Sequence, residues 1–287
     1  MAYLLALCSA GFYGAADFTG GLATRRAAAI PVVLLSQACG LVMVALALPL
    51  LPAATPTNAD LWWGAAAGLF GGFGVALLYR ALATGTMSVV APITAVTAVA
   101  LPVLTSIALG ERPGWIPVAG IALGIASIVL VSRQTGTTRA PSPDGRGGQG
   151  VRTSGVGPAL LAGIGVGIFL LALAQTHREA GLWPLFTDRI ASVAFFAIVA
   201  VVTRRSVRMP LNLAALAIGG GALDMIANAL YLVAVQIGPL SAVVTLSSLY
   251  PASTVLLARA VLGERLSGWQ TAGILTALVA VGLIVSG

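Results

Sequence analysis

Long apolar runs separated by short polar connections fill almost the whole chain. An α-helix needs about 20 predominantly apolar residues to cross the hydrocarbon core of a bilayer, and ten runs are close to that length. Their approximate bounds are 2–22, 29–52, 61–82, 87–109, 115–133, 158–175, 184–203, 211–236, 240–262 and 268–286. The pattern therefore predicts an all-α integral membrane protein with ten transmembrane helices.

One polar segment is much longer than the other connections. Residues 134–157 are rich in glycine, proline, serine and threonine, a composition that cannot bury a core and is typical of a flexible linker. Five predicted helices lie on each side of it. We therefore predict a first five-helix repeat over residues 1–133, a linker over 134–157, and a second five-helix repeat over 158–287.

The two predicted halves resemble each other in sequence. Residues 88–112, SVVAPITAVTAVALPVLTSIALGER, align without a gap to residues 241–265, SAVVTLSSLYPASTVLLARAVLGER. Because five helices cross a membrane an odd number of times, the second copy must be inverted relative to the first. Inverted repeats are typical of secondary transporters, in which one half rocks against the other around a site near the membrane midplane.

Composition supports a membrane protein and excludes several functions. Of the 287 residues, 59% are hydrophobic and 8% charged, against about 45–50% apolar and about 25% charged in soluble domains. The chain has no lysine, which excludes a Walker A phosphate loop and a Schiff-base site. Cys8 and Cys39 lie in apolar runs and predict no disulfide, and no cluster has the spacing of metal ligands. We expect no cofactor and no metal.

The arginines indicate an orientation. The face that carries the linker holds twelve arginines: Arg25, Arg26, Arg80, Arg133, Arg139, Arg146, Arg152, Arg204, Arg205, Arg208, Arg259 and Arg265. Only Arg112, Arg178 and Arg189 are left for the opposite face. Basic loops stay in the cytoplasm, so we predict a cytoplasmic linker and external termini in an inner (plasma) membrane. The net charge of +7 then reflects topology and not nucleic-acid binding.

Two aspartates, Asp17 and Asp224, are predicted to lie well inside membrane spans. Asn228 and Tyr231 follow Asp224 on the same helix face, and Tyr13 lies one turn before Asp17. Intramembrane acids usually mark substrate or ion pathways. Since burial favours the neutral form of a carboxylic acid, either aspartate could carry a proton between the two sides. The structural alternative is that they only join helices by hydrogen bonds.

Weaker candidates lie in the repeat-related fourth and ninth helices. Thr94 and Ser248 could line a pathway, although such side chains often bond their own helix backbone. Gln37 has a similar status, and for Tyr250 a packing role is favoured. The two Leu-Gly-Glu-Arg sequences that end at 112 and 265 are interpreted as glycine-terminated helix ends, not as a gate.

The second half carries an ordered series of short motifs. A helix ends in Gly-Pro-Leu-Ser, then come Ser-Leu-Tyr-Pro and Leu-Gly-Glu-Arg, and a glycine-dotted last helix follows. In this order and spacing the chain closely resembles EamA-type proteins of the drug/metabolite transporter superfamily. The resemblance implies an inner-membrane carrier of small metabolites, amino acids or drugs, often an exporter. It also implies a substrate site between the halves, lined by the first, third, fourth, sixth, eighth and ninth helices.

The sequence therefore favours a secondary transporter that works by alternating access, with protons as a possible coupling partner and lipids as its surroundings. One alternative is a membrane enzyme that acts on lipid-linked substrates, but the sequence has no paired carboxylates, metal cluster or nucleophile elbow. Another is a membrane partner protein that transports nothing. Flux into sealed vesicles separates these alternatives from a carrier.

Overall fold

The protein is all-helical over the residues that the computed structural model describes, which are 1–108, 114–132, 155–204, 206–237, 243, 246–247, 249–264 and 268–286. The helices are α1 (Ala2–Thr24), α2 (Ala29–Ala47), α3 (Asn58–Thr84), α4 (Met87–Ala108), α5 (Trp115–Ser132), α6 (Val156–Ala174), α7 (Trp183–Val202), α8 (Leu211–Ile237), α9 (Tyr250–Leu262) and α10 (Gly268–Ser286). They confirm the predicted all-α fold, and most bounds agree within a few residues. Much of the predicted ninth run before Tyr250 lies outside the described part.

Five of the described helical segments are long and apolar enough, by length and composition, to cross a membrane. They are Ala29–Leu50, Asn58–Thr84, Val156–Leu173, Trp183–Val202 and Leu211–Ala234. Shorter apolar segments occur in α4, α5, α9 and α10. Large apolar side chains such as Leu46, Phe73 and Ile198 are exposed on the outer surface of the bundle, as expected for helices that face lipid.

The helices pack in pairs that follow the sequence repeat. The most extensive contacts join α1 to α8 and α3 to α6. In the repeat, α6 corresponds to α1 and α8 corresponds to α3. The α1–α8 contact of one half with the other therefore corresponds to the α3–α6 contact. The same correspondence relates the α2–α8 contact to α3–α7, and the α1–α9 contact to α4–α6. Each half therefore packs mainly against the other half, as an inverted repeat requires.

Glycines allow the closest of these contacts. A Cβ added to Gly221 of α8 would overlap the backbone carbonyl of Ser36 in α2. At the α3–α6 contact, a Cβ on Gly165 would lie 2.8 Å from the Cα of Gly74. Small residues are frequent where membrane helices approach closely.

The largest buried apolar cluster lies towards one face of the membrane. We call this face the linker face, because α5 ends and α6 begins there. The linker-side core comprises Phe18, Ala23, Val32, Val33, Leu78, Tyr79, Ala81, Leu82, Met87, Val89, Val90, Ala91, Ile93, Ala159, Ala162, Phe196, Ala217, Val255, Ala258 and Ile274. Every member except Val255, which lies near the middle of α9, lies in the half of its helix nearest the linker face. A smaller cluster that includes Val44, Leu185 and Met225 packs towards the opposite face.

Candidate functional site

A cavity of about 170 Å³ lies between the two halves, on the far side of the linker-side core. Helices from both repeats contribute to it. The lining residues are Tyr13, Asp17, Gln37, Gly71, Val75, Leu78, Ala95, Ala98, Val99, Val166, Phe169, Leu170, Leu173, Asp188, Arg189, Asp224, Asn228, Tyr231, Ser247 and Tyr250. The helices that the family resemblance implied, the first, third, fourth, sixth, eighth and ninth, all take part, together with α2 and α7.

The cavity has two chemically different walls. The polar wall, formed by α1, α2, α7 and α8, carries all the charged side chains among the lining residues. The apolar wall, formed by α3, α4 and α6, consists of aliphatic residues, Gly71 and Phe169. This difference follows the repeat, because the partner position of Asp17 is Leu170 and that of Asp224 falls at Gly71. The scaffold is duplicated, whereas the acidic side chains are not.

Asp224 pairs with Arg189, which was predicted from sequence to lie at the surface opposite the linker face. Its Oδ2 accepts a hydrogen bond of 2.6 Å from Nη2 of Arg189. Nη1 of the same guanidinium bonds the side-chain oxygen of Gln37. The prediction that Arg189 belongs to the opposite surface is wrong, since the residue is only 5% exposed. The first turns of α7 pack between α2 and α3, which removes Arg189 from the surface.

Asp188 is a further buried acid that the sequence analysis missed. The residue is 2% exposed, and its Oδ2 lies 3.4 Å from Nε of Arg189. These two atoms form an ion pair without hydrogen-bond geometry, and neither has a hydrogen-bond partner among the described residues. A Cβ on Gly68 of α3 would overlap the backbone of Asp188, so close packing of α3 fixes this part of α7.

A hydrogen-bond network joins α1 to α8 beside the ion pair. The side-chain nitrogen of Asn228 donates to the backbone oxygen of Asp224 at 2.8 Å and to its carboxylate at 3.3 Å. The hydroxyl of Tyr13 donates to the side-chain oxygen of Asn228 at 2.9 Å. Tyr231 lines the cavity one turn further along α8. The structure thus brings together Tyr13, Asp224, Asn228 and Tyr231, four of the residues predicted from sequence.

Asp17 also lines the cavity but differs from the other acids. It makes no hydrogen bond or ion pair within the described part of the chain. Tyr13 lies one turn before it on α1, and the ring of Tyr250 packs against that of Tyr13 edge to face at 6.3 Å. Asp17 therefore shares the cavity with these two tyrosines and has no partner cation among the described residues.

Of the remaining predicted site residues, Thr94 does not line the cavity. Thr94 is fully buried and donates to the backbone oxygen of Ala159 at 3.2 Å, so it joins α4 to α6. Ser248 lies outside the described residues. Conversely Gln37, a weaker candidate, lies at the centre of the polar wall. The sequence does contain a sign of the buried pair Asp188–Arg189. Both residues follow Trp183 and Pro184, which begin the helix, and so lie inside the apolar run.

A second polar contact closes the linker face. Gly263, with φ 64°, ends α9 as the sequence predicted. Glu264 then accepts hydrogen bonds from the backbone nitrogens of Met87 and Ser88, both at 3.1 Å, and from the hydroxyl of Ser88 at 2.7 Å. It also pairs with Arg25 at 3.5 Å. We call these four residues the linker-face clamp; its repeat counterpart around Glu111 lies outside the described residues.

Comparison with known proteins identifies the family. The model of the EamA-like transporter family matches residues 1–133 and 153–286. The fold is similar to that of one solved crystal structure, which is described simply as a protein. The alignment covers 98% of this chain and 95% of that chain, with a TM-score of 0.66 and 16% sequence identity, and this likeness concerns the fold alone. No protein among those with curated descriptions matches. The chain therefore belongs to the EamA-like transporter family and is a multi-pass membrane transporter of the drug/metabolite transporter superfamily.

Proposed function

We propose that this protein is a secondary transporter that exports small amphipathic metabolites by alternating access. The observation that carries the proposal is the charged cavity between two repeat-related halves. A buried ion pair and an unpaired carboxyl group are costly within a bilayer. Their presence at the contact of the two halves is what a midplane binding site requires.

The structure corresponds, in this proposal, to the state open towards the face opposite the linker. Two features support this assignment. The linker-side core packs tightly between the cavity and the linker face, and the linker-face clamp ties the end of α9 to the start of α4. With the linker in the cytoplasm, as the arginines indicate, this is the state that releases an exported substrate. The cycle then requires the clamp to break.

The cavity volume favours small substrates over drug-sized compounds. A cavity of roughly 150 Å³ in another protein binds benzene, and pockets for drug-sized ligands enclose about 300–1,000 Å³. The cavity of about 170 Å³ is much closer to the first case. A compound of one small ring or a short branched chain, with one polar group, fits both walls.

Proton coupling is proposed to use Asp17. Asp224 is occupied by Arg189, and Asp188 faces the same guanidinium. Asp17 has no such partner among the described residues, and the other charged groups that line its cavity are Asp188, Arg189 and Asp224. We propose that Asp17 carries a proton in the empty cavity, as intramembrane acids of pumps and transporters do. Substrate binding would release this proton, so substrate and proton move in opposite directions.

The experiment uses purified full-length protein in sealed liposomes that contain a pH-sensitive dye. Gradients of small amines, amino acids and neutral alcohols are imposed one at a time, with protein-free liposomes as the reference. We expect at least one compound to drive proton movement. Asp17→Asn should abolish the proton movement that this compound drives, whereas the exposed Glu179→Gln should leave it unchanged.

Two results would reject parts of the proposal. If no compound crosses faster than in protein-free liposomes, transport is rejected. If Asp17→Asn moves as many protons per substrate as the unmodified protein, a coupling role for Asp17 is rejected. Transport of a compound without any proton movement would support the carrier function and reject proton coupling.

A further inference from the structure

We infer that the substrate is a small amphipathic organic cation, bound with its charged group beside Asp17 and its apolar part against the α3, α4 and α6 wall. The inference rests on the proposed transport function and adds the charge and shape of the substrate. It follows from the charge count of the cavity, the state of its one cationic side chain, and the difference between the two walls.

The charges in the cavity do not balance. Asp17, Asp188 and Asp224 contribute three carboxyl groups, and Arg189 is the one cationic side chain among the described lining residues. Fully ionised, the site therefore has an excess of two negative charges. An uncompensated charge in a low-dielectric site is strongly unfavourable, so a bound cation would supply what the protein itself lacks.

Arg189 is not free to receive an anionic group. One terminal nitrogen bonds Gln37, the other bonds Asp224, and Nε faces the carboxylate of Asp188 at 3.4 Å. A substrate carboxylate would have to displace one of these partners and would then lie among three acidic groups. The cavity consequently disfavours anions, and it disfavours zwitterions for the same reason.

Two carboxyl groups accept no hydrogen bond among the described residues, although Asp188 shares the guanidinium of Arg189 with Asp224. Oδ2 of Asp188 is buried without a hydrogen-bond partner among the described residues, in a side chain that is 2% exposed and lines the cavity. Asp17 is likewise without a partner there. No group of three acidic, histidine or cysteine side chains in the described part is arranged to hold a metal ion. We take the missing cation to be an organic ammonium or guanidinium group, because the apolar wall of the cavity offers contacts to an organic molecule and none to a bare ion.

The rest of the cavity fits the remainder of such a molecule. The rings of Tyr13 and Tyr250 lie in edge-to-face contact beside Asp17, and aromatic faces attract ammonium groups. Across the cavity, Phe169 and Leu170 offer an apolar surface, and the cavity of about 170 Å³ leaves room for one small ring. A single positive group attached to one such ring matches both surfaces at once.

The test is equilibrium binding to the full-length protein in lipid nanodiscs, measured by calorimetry. The probes share one ring and differ in charge: benzylammonium, benzyl alcohol, benzoate, and zwitterionic phenylglycine. We expect benzylammonium to bind at least about tenfold more tightly than each of the others. Equal or weaker binding of benzylammonium, including no binding of any probe, would overturn the inference.

Two substitutions at repeat-related positions locate the charge preference. Asp17→Asn should remove most of the preference for benzylammonium over benzyl alcohol and leave benzyl alcohol binding within about twofold. Leu170→Asn places the same amide on the opposite wall and should weaken both probes while it preserves the preference. An unchanged preference in Asp17→Asn would contradict the assignment of the charged group to this residue.

Flux of phenyltrimethylammonium, which carries a permanent charge and cannot leak as a neutral base, separates this inference from the transport proposal. Preferred binding of the cation without flux would support the site and reject transport. Faster flux of benzoate or phenylglycine than of the cation would support transport and overturn the inference about the substrate.

Discussion

The ion pair between Arg189 and Asp224 gives the sharpest prediction about the described structure. Its two side chains are 6% and 24% exposed, and their atoms lie 2.6 Å apart. Removal of one partner from a buried pair costs about 3–5 kcal/mol. Since Asp188 remains 3.4 Å from the guanidinium and offsets part of the loss, we expect about 3 kcal/mol for Asp224→Asn.

A double-mutant cycle separates the pair from other effects of each substitution. Asp224→Asn, Arg189→Gln and the double variant are unfolded by SDS in mixed micelles, and the free energies of unfolding are compared. Close buried charge pairs give coupling energies of about 1.5 kcal/mol or more, whereas hydrogen bonds between membrane helices average about 0.6 kcal/mol. We therefore expect a coupling energy above about 1.5 kcal/mol.

The control cycle uses the more exposed pair of Arg25 and Glu264, at 3.5 Å. Arg25→Gln and Glu264→Gln should couple by less than about 1 kcal/mol, as surface ion pairs do. A coupling energy of Arg189 with Asp224 that does not exceed that of the control pair would show that Arg189 and Asp224 do not form a buried ion pair. The inference from the charges of the cavity would then be wrong as well.

Two further predictions test how the helices pack. Gly221→Ala should destabilise the protein by about 1–3 kcal/mol, because the added Cβ would meet the backbone of Ser36. Gly219→Ala is the control: its Cβ would enter open space, so the change should be neutral or stabilising. SDS unfolding measures the free energy of both variants. Thr94→Val should cost about 1 kcal/mol through loss of its bond to Ala159, with benzylammonium affinity unchanged; altered affinity would return Thr94 to the cavity.

Much of the fold could be predicted because its signals are local. Apolar runs give the helices directly, and the Leu-Gly-Glu-Arg sequence marked the end of α9 correctly. What followed that end could not be predicted, because the bonds of Glu264 to Met87 and Ser88 span more than 170 positions of the chain. The local sequence that ends a helix does not indicate which other helix the residues at that end will contact.

The site was predicted in part for a related reason. An aspartate deep in an apolar run, such as Asp17 or Asp224, stands out from sequence alone. Asp188 and Arg189 lie near the start of their run, where charged residues usually face the membrane surface. Their burial depends on close packing at Gly68 of α3 and on contact with α2. Thr94 was predicted to line a pathway because it is polar, but its hydroxyl bonds α6 instead.

The most direct test of the central claim is the accessibility of the cavity from the two membrane faces. Val99 lines the cavity and is partly buried, so Val99→Cys is introduced after Cys8→Ala and Cys39→Ala. A membrane-impermeant maleimide is then added to either face of vesicles with one protein orientation. Alternating access predicts labelling from each face, faster from the face opposite the linker, with the linker-face rate raised by Glu264→Ala. Labelling from one face only, unchanged by Glu264→Ala, would contradict the account.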